Sequence, residues 1–306
     1  MFSMIITDYK SIPLSINLIE KFSQKCNSVI HYFIVDNSNQ HAALNYLKEN
    51  RISFESLVVL EKNIYFFSLS DNIMVHIVDA DENGGYAKGN NIGAKISKVL
   101  FDDKYFIFAN NDLEFPDNVN LEQIDLLVKK NPQIGIIGVD IRTPDGNRQN
   151  PRDNRGVLSQ TILWEFNVLW FHCVFNKVLW NLSKDVSERE VGWVSGSFLI
   201  IASKAFFLVD GFDEHTFLYC EEMIISEKMR KKNICTYFFP QIKIIHFHKG
   251  AVTQQTRREG HRSKIYYYRT YKHVPAIICK FADFSYALCE EGYYLFHKIK
   301  TRFRKK

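Results

Sequence analysis

The chain has six cysteines (Cys26, Cys173, Cys220, Cys235, Cys279 and Cys289), and no two form a C-x-x-C pair. That scatter argues against a structural zinc site or a disulfide framework, and for a reducing compartment. No uninterrupted apolar run reaches the about 18 residues that a spanning helix needs. The opening residues, MFSMIITDYKS, lack the basic region and apolar run of a signal peptide and read as a first strand. These absences lead us to expect a cytoplasmic protein, soluble or peripheral to a membrane. Neither sign of charge dominates: 39 Lys and Arg stand against 34 Asp and Glu, for a net charge of +5. No basic stripe is interleaved with a nucleic-acid module, so nucleic acid is not an expected partner.

At 306 residues with 46% hydrophobic content, the chain can bury a large core without staples. Its excess positive charge is concentrated at the end. HKIKTRFRKK carries Lys298, Lys300, Arg302, Arg304, Lys305 and Lys306 with no acid, next to Tyr293, Tyr294, Leu295 and Phe296. Such a terminus suits an anionic membrane surface, and equally a solvated tail.

The first half alternates strands and helices. FSMIIT (2–7), VIHYFIVD (29–36), MVHIVD (74–79) and KYFIFAN (104–110) read as strands. Helical patterns cover 14–25, with Leu14, Leu18, Ile19 and Phe22 on one face, and 87–100. This alternation predicts an α/β fold with a mostly parallel sheet flanked by helices. Residues 51–70 form an apolar insertion readable as a hairpin or an irregular helix. Asp145-Gly146 predicts a tight turn. Residues 161–182 spread three tryptophans (Trp164, Trp170 and Trp180) over a helix that is apolar nearly all round, sandwiched in the core or laid on lipid. Residues 191–202 read as a strand, 221–232 as a helix, and ICTYFF and IKIIHF as two short closing strands.

Ligands of such sheets sit at the carboxyl ends of the strands. Here those ends carry Asp36, Asn83-Gly84-Gly85 and Asn110-Asn111-Asp112, a set that suits a nucleotide. In NGGYAKGNNIG (83–93), the glycines let backbone N–H groups at a helix start approach a phosphate or ribose. The spacing is not G-x-G-x-x-G, which disfavours a dehydrogenase. Asp112, a carboxylate among amides, suits Mg²⁺ or Mn²⁺, and also suits a simple strand-end turn. Glu221 and Glu222 open a helix, where the dipole favours ionised carboxylates; one carboxylate suffices to take a proton from an attacking hydroxyl. His246 and His248 in IIHFHKG are strand histidines, one of which could reach a metal or a diphosphate.

Taken in order, MIITDYKS, FIVDNSN, NGGYAKGNNIG, FANNDLEF, GWVSGSFLI, GFDEHTFLYCEE and IIHFHKG resemble the successive motifs of bacterial family 2 glycosyltransferases. The nearest branch is the rhamnosyltransferase-like group of O-antigen and capsule assembly. The likeness runs from about residue 2 to about residue 250. It implies a GT-A fold over 1–250, with a nucleotide-binding half to about 115 and an acceptor half after it. A helical, basic, membrane-proximal extension over 251–306 would follow. It also implies a nucleoside-diphosphate sugar donor, Mg²⁺ or Mn²⁺, inversion at the anomeric carbon, and a polyprenyl-diphosphate-linked saccharide as acceptor at the inner face of the cytoplasmic membrane.

By position, the resemblance assigns Thr7, Tyr9 and Asp36 to the base and ribose, and Asn83, Gly85, Gly89, Asn90 and Asn111 to the nucleotide side of the cleft. Asp112 and His246 would face the metal and diphosphate. Trp193, Ser195 and Gly196 match the acceptor-side loop. Glu222 falls where the family has its catalytic Asp, next to Glu221. The chain departs from the family pattern at Lys10 (usually Asn), at Glu222 itself and at Met223-Ile224-Ile225, which lack a second acid. Two other readings remain. One is a catalytically degenerate nucleotide-binding assembly partner. The other is a sugar-1-phosphate nucleotidyltransferase, which the TDYKSIP loop disfavours because a triphosphate-activating glycine-rich loop is missing there.

Overall fold

The computed structural model describes residues 1–38, 40–152, 185–247 and 253–287. The 161–182 segment, His248 and the basic run 298–306 lie outside the described residues.

The parallel nucleus of the sheet is built from β1 (Phe2–Asp8), β2 (Ile30–Asp36), β5 (Ile73–Asp79) and β6 (Tyr105–Ala109). These strands are almost continuously apolar and buried, as strands covered on both faces must be. α1 (Ile12–Lys25), α2 (Ala42–Glu49) and α3 (Gly85–Leu100) connect them. α3 begins two residues earlier than the pattern suggested. The 51–70 insertion resolves as a hairpin, β3 (Glu55–Val59) and β4 (Lys62–Ser70), added antiparallel to β5 at the sheet edge.

On the other side of β6 the sheet becomes mixed. β10 (Phe198–Ala202) runs antiparallel between β6 and β8 (Ile134–Arg142), and β11 (Cys235–His246) lies parallel to β8. The two closing strands expected from the pattern are one strand, whose register with β8 shifts between Phe239 and Lys243. The single strand expected over 191–202 is divided. β9 (Arg189–Val191) pairs with β11, β10 pairs with β6, and residues 192–197 cross between them. β7 (Leu113–Glu114) closes the far edge on β11. The order is β3-β4-β5-β2-β1-β6-β10-β8-β11-β7. The Asp145-Gly146 turn forms as expected, with the Gly146 N–H donating to Thr143 O at 2.9 Å.

One core packs α1, α2 and α4 (Glu122–Lys130) on one face, around Phe22, Phe115, Ile107 and Ile137. A second packs α3, α5 (Ser203–Leu208) and α6 (Glu221–Arg230) on the other. In that second core Phe206 sits among Phe106, Phe108, Phe207 and Phe212, with ring centroids 5.3–5.6 Å apart. These separations fall in the range of favourable aromatic pairs. α7 (Gln254–Tyr271) and a helical stretch over 276–287 follow. Tyr267, Tyr268, Val274 and Cys279 pack there against Cys220 and Ile224 of the α6 region.

Phe206 is 1% exposed and pins α5 to the sheet centre. Phe206→Ala should therefore destabilise the protein by about 3–5 kcal/mol. Urea unfolding checks this; a loss under about 1 kcal/mol would mean that the aromatic cluster collapses around the gap.

Candidate active site

Chain order reverses at β1, with β2 on one side and β6 on the other, so the crevice beyond the carboxyl ends at β1 is where such a sheet binds ligands. Strand register makes this crevice acidic. Asp8 pairs with Asp36, and Asp36 with Asp79, so three buried carboxylates stand in a row. Each is held locally. Asp8 accepts from the Ser11 N–H (2.8 Å) and from the hydroxyls of Ser11 (2.9 Å) and Ser15 (2.5 Å). Asp36 accepts from the N–H groups of Ser38 (2.9 Å) and Ala43 (2.7 Å) at the start of α2. Asp79 takes the N–H of Asp81 and the imidazole of His41. Burial pushes the Asp8 carboxyl up despite its serine partners, and the charge of Asp36 adds to the rise. Asp8 and Asp79 were not singled out in the sequence, although three strands ending in Asp (IITD, FIVD and HIVD) were a readable signal.

The other expected nucleotide-side residues gather here. Thr7 Oγ1 is buried without a hydrogen-bond partner. Gly89 lies directly over it; a Cβ at Gly89 would come 2.5 Å from Thr7 Cγ2, so only glycine lets α3 approach β1 this closely. Tyr9 stands at the rim, 54% exposed, with the Lys10 ammonium 5.3 Å from its ring. Asn83 Oδ1 accepts from the Gly85 N–H, and Asn37 Nδ2 donates to Gly85 O at 2.9 Å. Gly85 adopts φ +79°, and a Cβ there would meet the Phe217 carbonyl at 2.2 Å. Asn90 instead turns back on its own helix, donating to Tyr86 O. Asn111 Nδ2 lies within 3.1 Å of Asp8 Oδ2, Ser11 Oγ and Ser15 Oγ, which ties the Asn-Asn-Asp loop to the start of α1.

β7 pairing with β11 brings Asp112 to His246, and the Phe247 N–H donates to Asp112 O at 2.8 Å. His246 Nε2 lies 3.2 Å from Asp112 Oδ1, an oxygen that is buried and accepts no hydrogen bond. Gln149 Oε1, an acceptor, sits 2.9 Å from His246 Nδ1. The ring is thus held between the Gln149 amide and the Asp112 carboxylate. An oxygen and an imidazole nitrogen form a donor set that fits Mn²⁺. Among the described residues no group of three or more His, Cys, Asp or Glu is placed to hold a metal ion, so substrate phosphates and water would complete the shell.

Glu221 and Glu222 follow two consecutive non-glycine residues in left-handed backbone, Tyr219 (φ 72°) and Cys220 (φ 71°). Such a conformation costs free energy and persists only where its surroundings enforce it. Here Gly260 of α7 leaves room for the Tyr219 ring, and Ser263 Oγ donates to Leu218 O at 2.8 Å. The kink separates the two acids. Glu221 points inward and is only 2% exposed; burial, and then the charge of Glu222, push its carboxyl up to about 8. Glu222 points at the acceptor-side loop, where Gly196 N–H donates to its Oε1 at 3.2 Å. Burial raises its carboxyl as well, while this N–H and the Arg152 guanidinium oppose the rise.

The expected acceptor-side residues converge on Glu222. Tyr86, unremarked in the sequence, reaches across from α3 to donate its hydroxyl to Gly196 O at 2.7 Å. Ser195 N–H donates to Asn150 Oδ1 at 2.8 Å. Arg152 lies 4.8 Å from the Trp193 ring centre, and its carbonyl accepts from the N–H groups of Gly192 and Trp193. No local sequence signal pointed to Arg152, because only the cross-chain bridge to Trp193 brings it here.

No protein-family profile matches the chain. In sequence it is 30% identical over 196 residues to N-acetylglucosaminyl-diphospho-decaprenol L-rhamnosyltransferase of Mycobacterium tuberculosis, over 58% of this chain and 60% of that protein. It is 23% identical over 166 residues to rhamnosyltransferase WbbL of Escherichia coli K12, over 53% of this chain and 61% of that protein. The chain thus spans about six-tenths of the length of the curated relatives it matches. Among solved structures, mannosyltransferase PcManGT of Pyrobaculum calidifontis, in complex with GDP-Man and Mn²⁺, superposes with a TM-score of 0.55 at 10% identity, over 90% of this chain and 64% of that one. GalNAc-T7 with UDP, GalNAc and Mn²⁺ gives 0.54 at 12% identity, over 95% of this chain and 56% of that one. The expected fold is borne out: this chain has the GT-A architecture of these glycosyltransferases, and its sequence is rhamnosyltransferase-like.

Proposed function

We propose that the chain is an inverting glycosyltransferase that moves a sugar from a nucleoside-diphosphate donor to a hydroxyl of a lipid-linked saccharide in cell-surface polysaccharide assembly. Rhamnose is the first sugar to test, because both curated relatives above are named for its transfer. The observation that carries the reading is that Glu222 meets the 192–197 loop, whose Ser197 carbonyl accepts from the N–H of Asn110, two residues before Asp112.

In this reading the residues take the following roles. Asp8, Asp36, Asp79 and Thr7 line the base and ribose side of the crevice. Gly85 and Gly89 let the start of α3 pack closely on Phe217 and Thr7, which sets this backbone beside the nucleotide side of the crevice. Asp112 and His246 would hold Mn²⁺ or Mg²⁺, which when bound supplies positive charge to the donor diphosphate. Glu222 receives the proton of the acceptor hydroxyl as that oxygen bonds to the anomeric carbon and the bond to the diphosphate oxygen breaks. Arg152 and the Gly196 N–H favour the ionised carboxylate that a base needs, against the burial that opposes it. Trp193, half-buried with the Arg152 guanidinium 4.8 Å from its ring centre, belongs to the loop that would meet the saccharide. The lipid of the acceptor places the reaction at a membrane surface, at the cytoplasmic face, and the basic run 298–306 offers a contact with it.

Two measurements test the base. Glu222→Gln should lower transfer by about 10²–10⁴-fold while nucleotide binding stays intact, and turnover at the normal rate would remove the assignment. Glu221 has a different signature, because its role in this reading is buried support. Its carboxyl is raised in the folded state from 4.5 to about 8, so the native state binds the extra proton and stability falls as pH rises through that window. Glu221→Gln should therefore match the native protein in melting temperature near pH 4.5 and exceed it progressively toward pH 8. Parallel melting curves at every pH would show that Glu221 does not titrate there. For the donor and metal, nucleoside-diphosphate release should occur with one sugar nucleotide in Mn²⁺ and disappear with chelator and with Asp112→Ala.

A further inference from the structure

α7 and the helical stretch over 276–287 supply no group to the chemistry above, and their surface is unusual. The stretch over 276–287 exposes Ile277 (76%), Phe281 (47%) and Phe284 (61%). Their spacing of four and then three residues places them on one helical face, with Lys280 at its flank. Large apolar side chains gathered on one exposed face mark a contact surface, whereas single ones are ordinary. Beside this face lies an open cleft of about 590 Å³, lined by Arg262, Tyr266, Arg269 and Thr270 of α7 together with Asp283. Asp283 Oδ1 lies 2.8 Å from His261 Nε2. Across residues 254–287 there are seven Lys and Arg against two Asp and Glu. Among the described residues no helix is long and apolar enough to cross a membrane.

We propose that α7 and the 276–287 helix form a docking surface for an anionic phospholipid bilayer. Ile277, Phe281 and Phe284 lie at the boundary of headgroups and acyl chains, and the Arg262–Arg269 cleft receives lipid phosphate. Charge complementarity selects this occupant: an apolar stripe edged by cations matches a surface that is apolar beneath and negative above. Its attachment gives the surface a use. Tyr266 and Tyr271 donate to Asp213 Oδ2 at 2.8 and 2.5 Å, and Lys272 pairs with Glu227 of α6 at 2.9 Å. Burial alone would raise the Asp213 carboxyl, but the hydrogen bonds from Tyr271, the His215 N–H and Tyr266 hold it at about 2, so this joint stays charged and closed at physiological pH. The docking surface is therefore fixed to the segment that carries Glu222. What it delivers, a lipid-linked acceptor, rests on the transferase reading; the docking itself does not.

The test is flotation of the full chain with vesicles of phosphatidylcholine alone and with phosphatidylglycerol added, at low and high salt. The protein should float with the anionic vesicles, less so at high salt. Ile277→Glu with Phe284→Glu should cut the bound fraction at least about tenfold, and Arg262→Gln with Arg269→Gln should remove most of the preference for anionic lipid. Replacing the six basic residues of 298–306 with Gln should leave the larger part of the binding in place. Melting temperatures report folding, and Ile277→Ser with Phe284→Ser serves if the glutamate pair does not fold. Binding that survives the stripe substitutions, or that vanishes only with the tail substitutions, overturns the proposal. So does a stripe variant whose sole effect is to dissociate a dimer. A parallel thermal shift with a nucleoside diphosphate and Mn²⁺ separates the two readings. Vesicle binding without a nucleotide shift removes the donor reading and leaves the docking surface standing, and the reverse result removes only the docking surface.

Discussion

The site depends first on the in-register parallel pairing of β5, β2, β1 and β6. Parallel strands covered on both faces must be apolar along their length, so their polar residues are driven to the ends. Because Asp8, Asp36 and Asp79 each close a strand of equal length and pair directly, the sheet lines three carboxylates along one edge. A slip of one residue in any strand would turn its core side chains to the opposite face, so the burial of these strands also fixes the acidic row. Local donors from Ser11, Ser15, Ser38 and Ala43 make the row tolerable by satisfying its oxygens.

The second half of the site is assembled against that edge by unrelated segments. Asn111 binds the Asp112 loop to the start of α1, and β7 binds the same loop to β11 and so to His246. The acceptor side is joined by the Tyr86 hydroxyl, which bridges α3 to Gly196, and by the Gly196 N–H, which meets Glu222. A polar group moved at any of these points would leave a buried partner unsatisfied, which costs more than an ordinary hydrogen bond contributes. The strained Tyr219–Cys220 backbone is held in the same way, by Gly260 and Ser263 of α7. Thus α7, which lies beyond the sheet in sequence, helps to set the orientation of the carboxylate nearest the acceptor.

Two carboxylates adjacent in sequence end in different environments. Glu221 and Glu222 both open α6, where the helix dipole favours charge, yet Glu221 turns into the core and Glu222 toward Gly196. Adjacent residues on a helix point about 100° apart, so one can be inside while its neighbour lines a cleft. The Asp112–His246 pair shows the opposite case: two residues far apart in sequence meet because the edge strands pair.

By itself the sequence determined the strand–helix alternation, the strand ends that carry Asp36, Asn83 and Asp112, and the order of motifs that resembles a glycosyltransferase. These are local properties: hydrophobic period, turn chemistry and short strings of residues. Tertiary structure alone decided that 51–70 is an edge hairpin, that 191–202 divides between two places in the sheet, and that 235–246 is one strand. Each of those depends on which neighbour supplies the hydrogen bonds, and strand pairing between distant segments leaves no periodic mark in the chain. The same reason hid Tyr86, Arg152 and Gln149, whose partners Gly196, Trp193 and His246 lie tens of residues away. It also kept Glu221 and Glu222 indistinguishable until packing placed one in the core and turned the other to the Gly196 N–H.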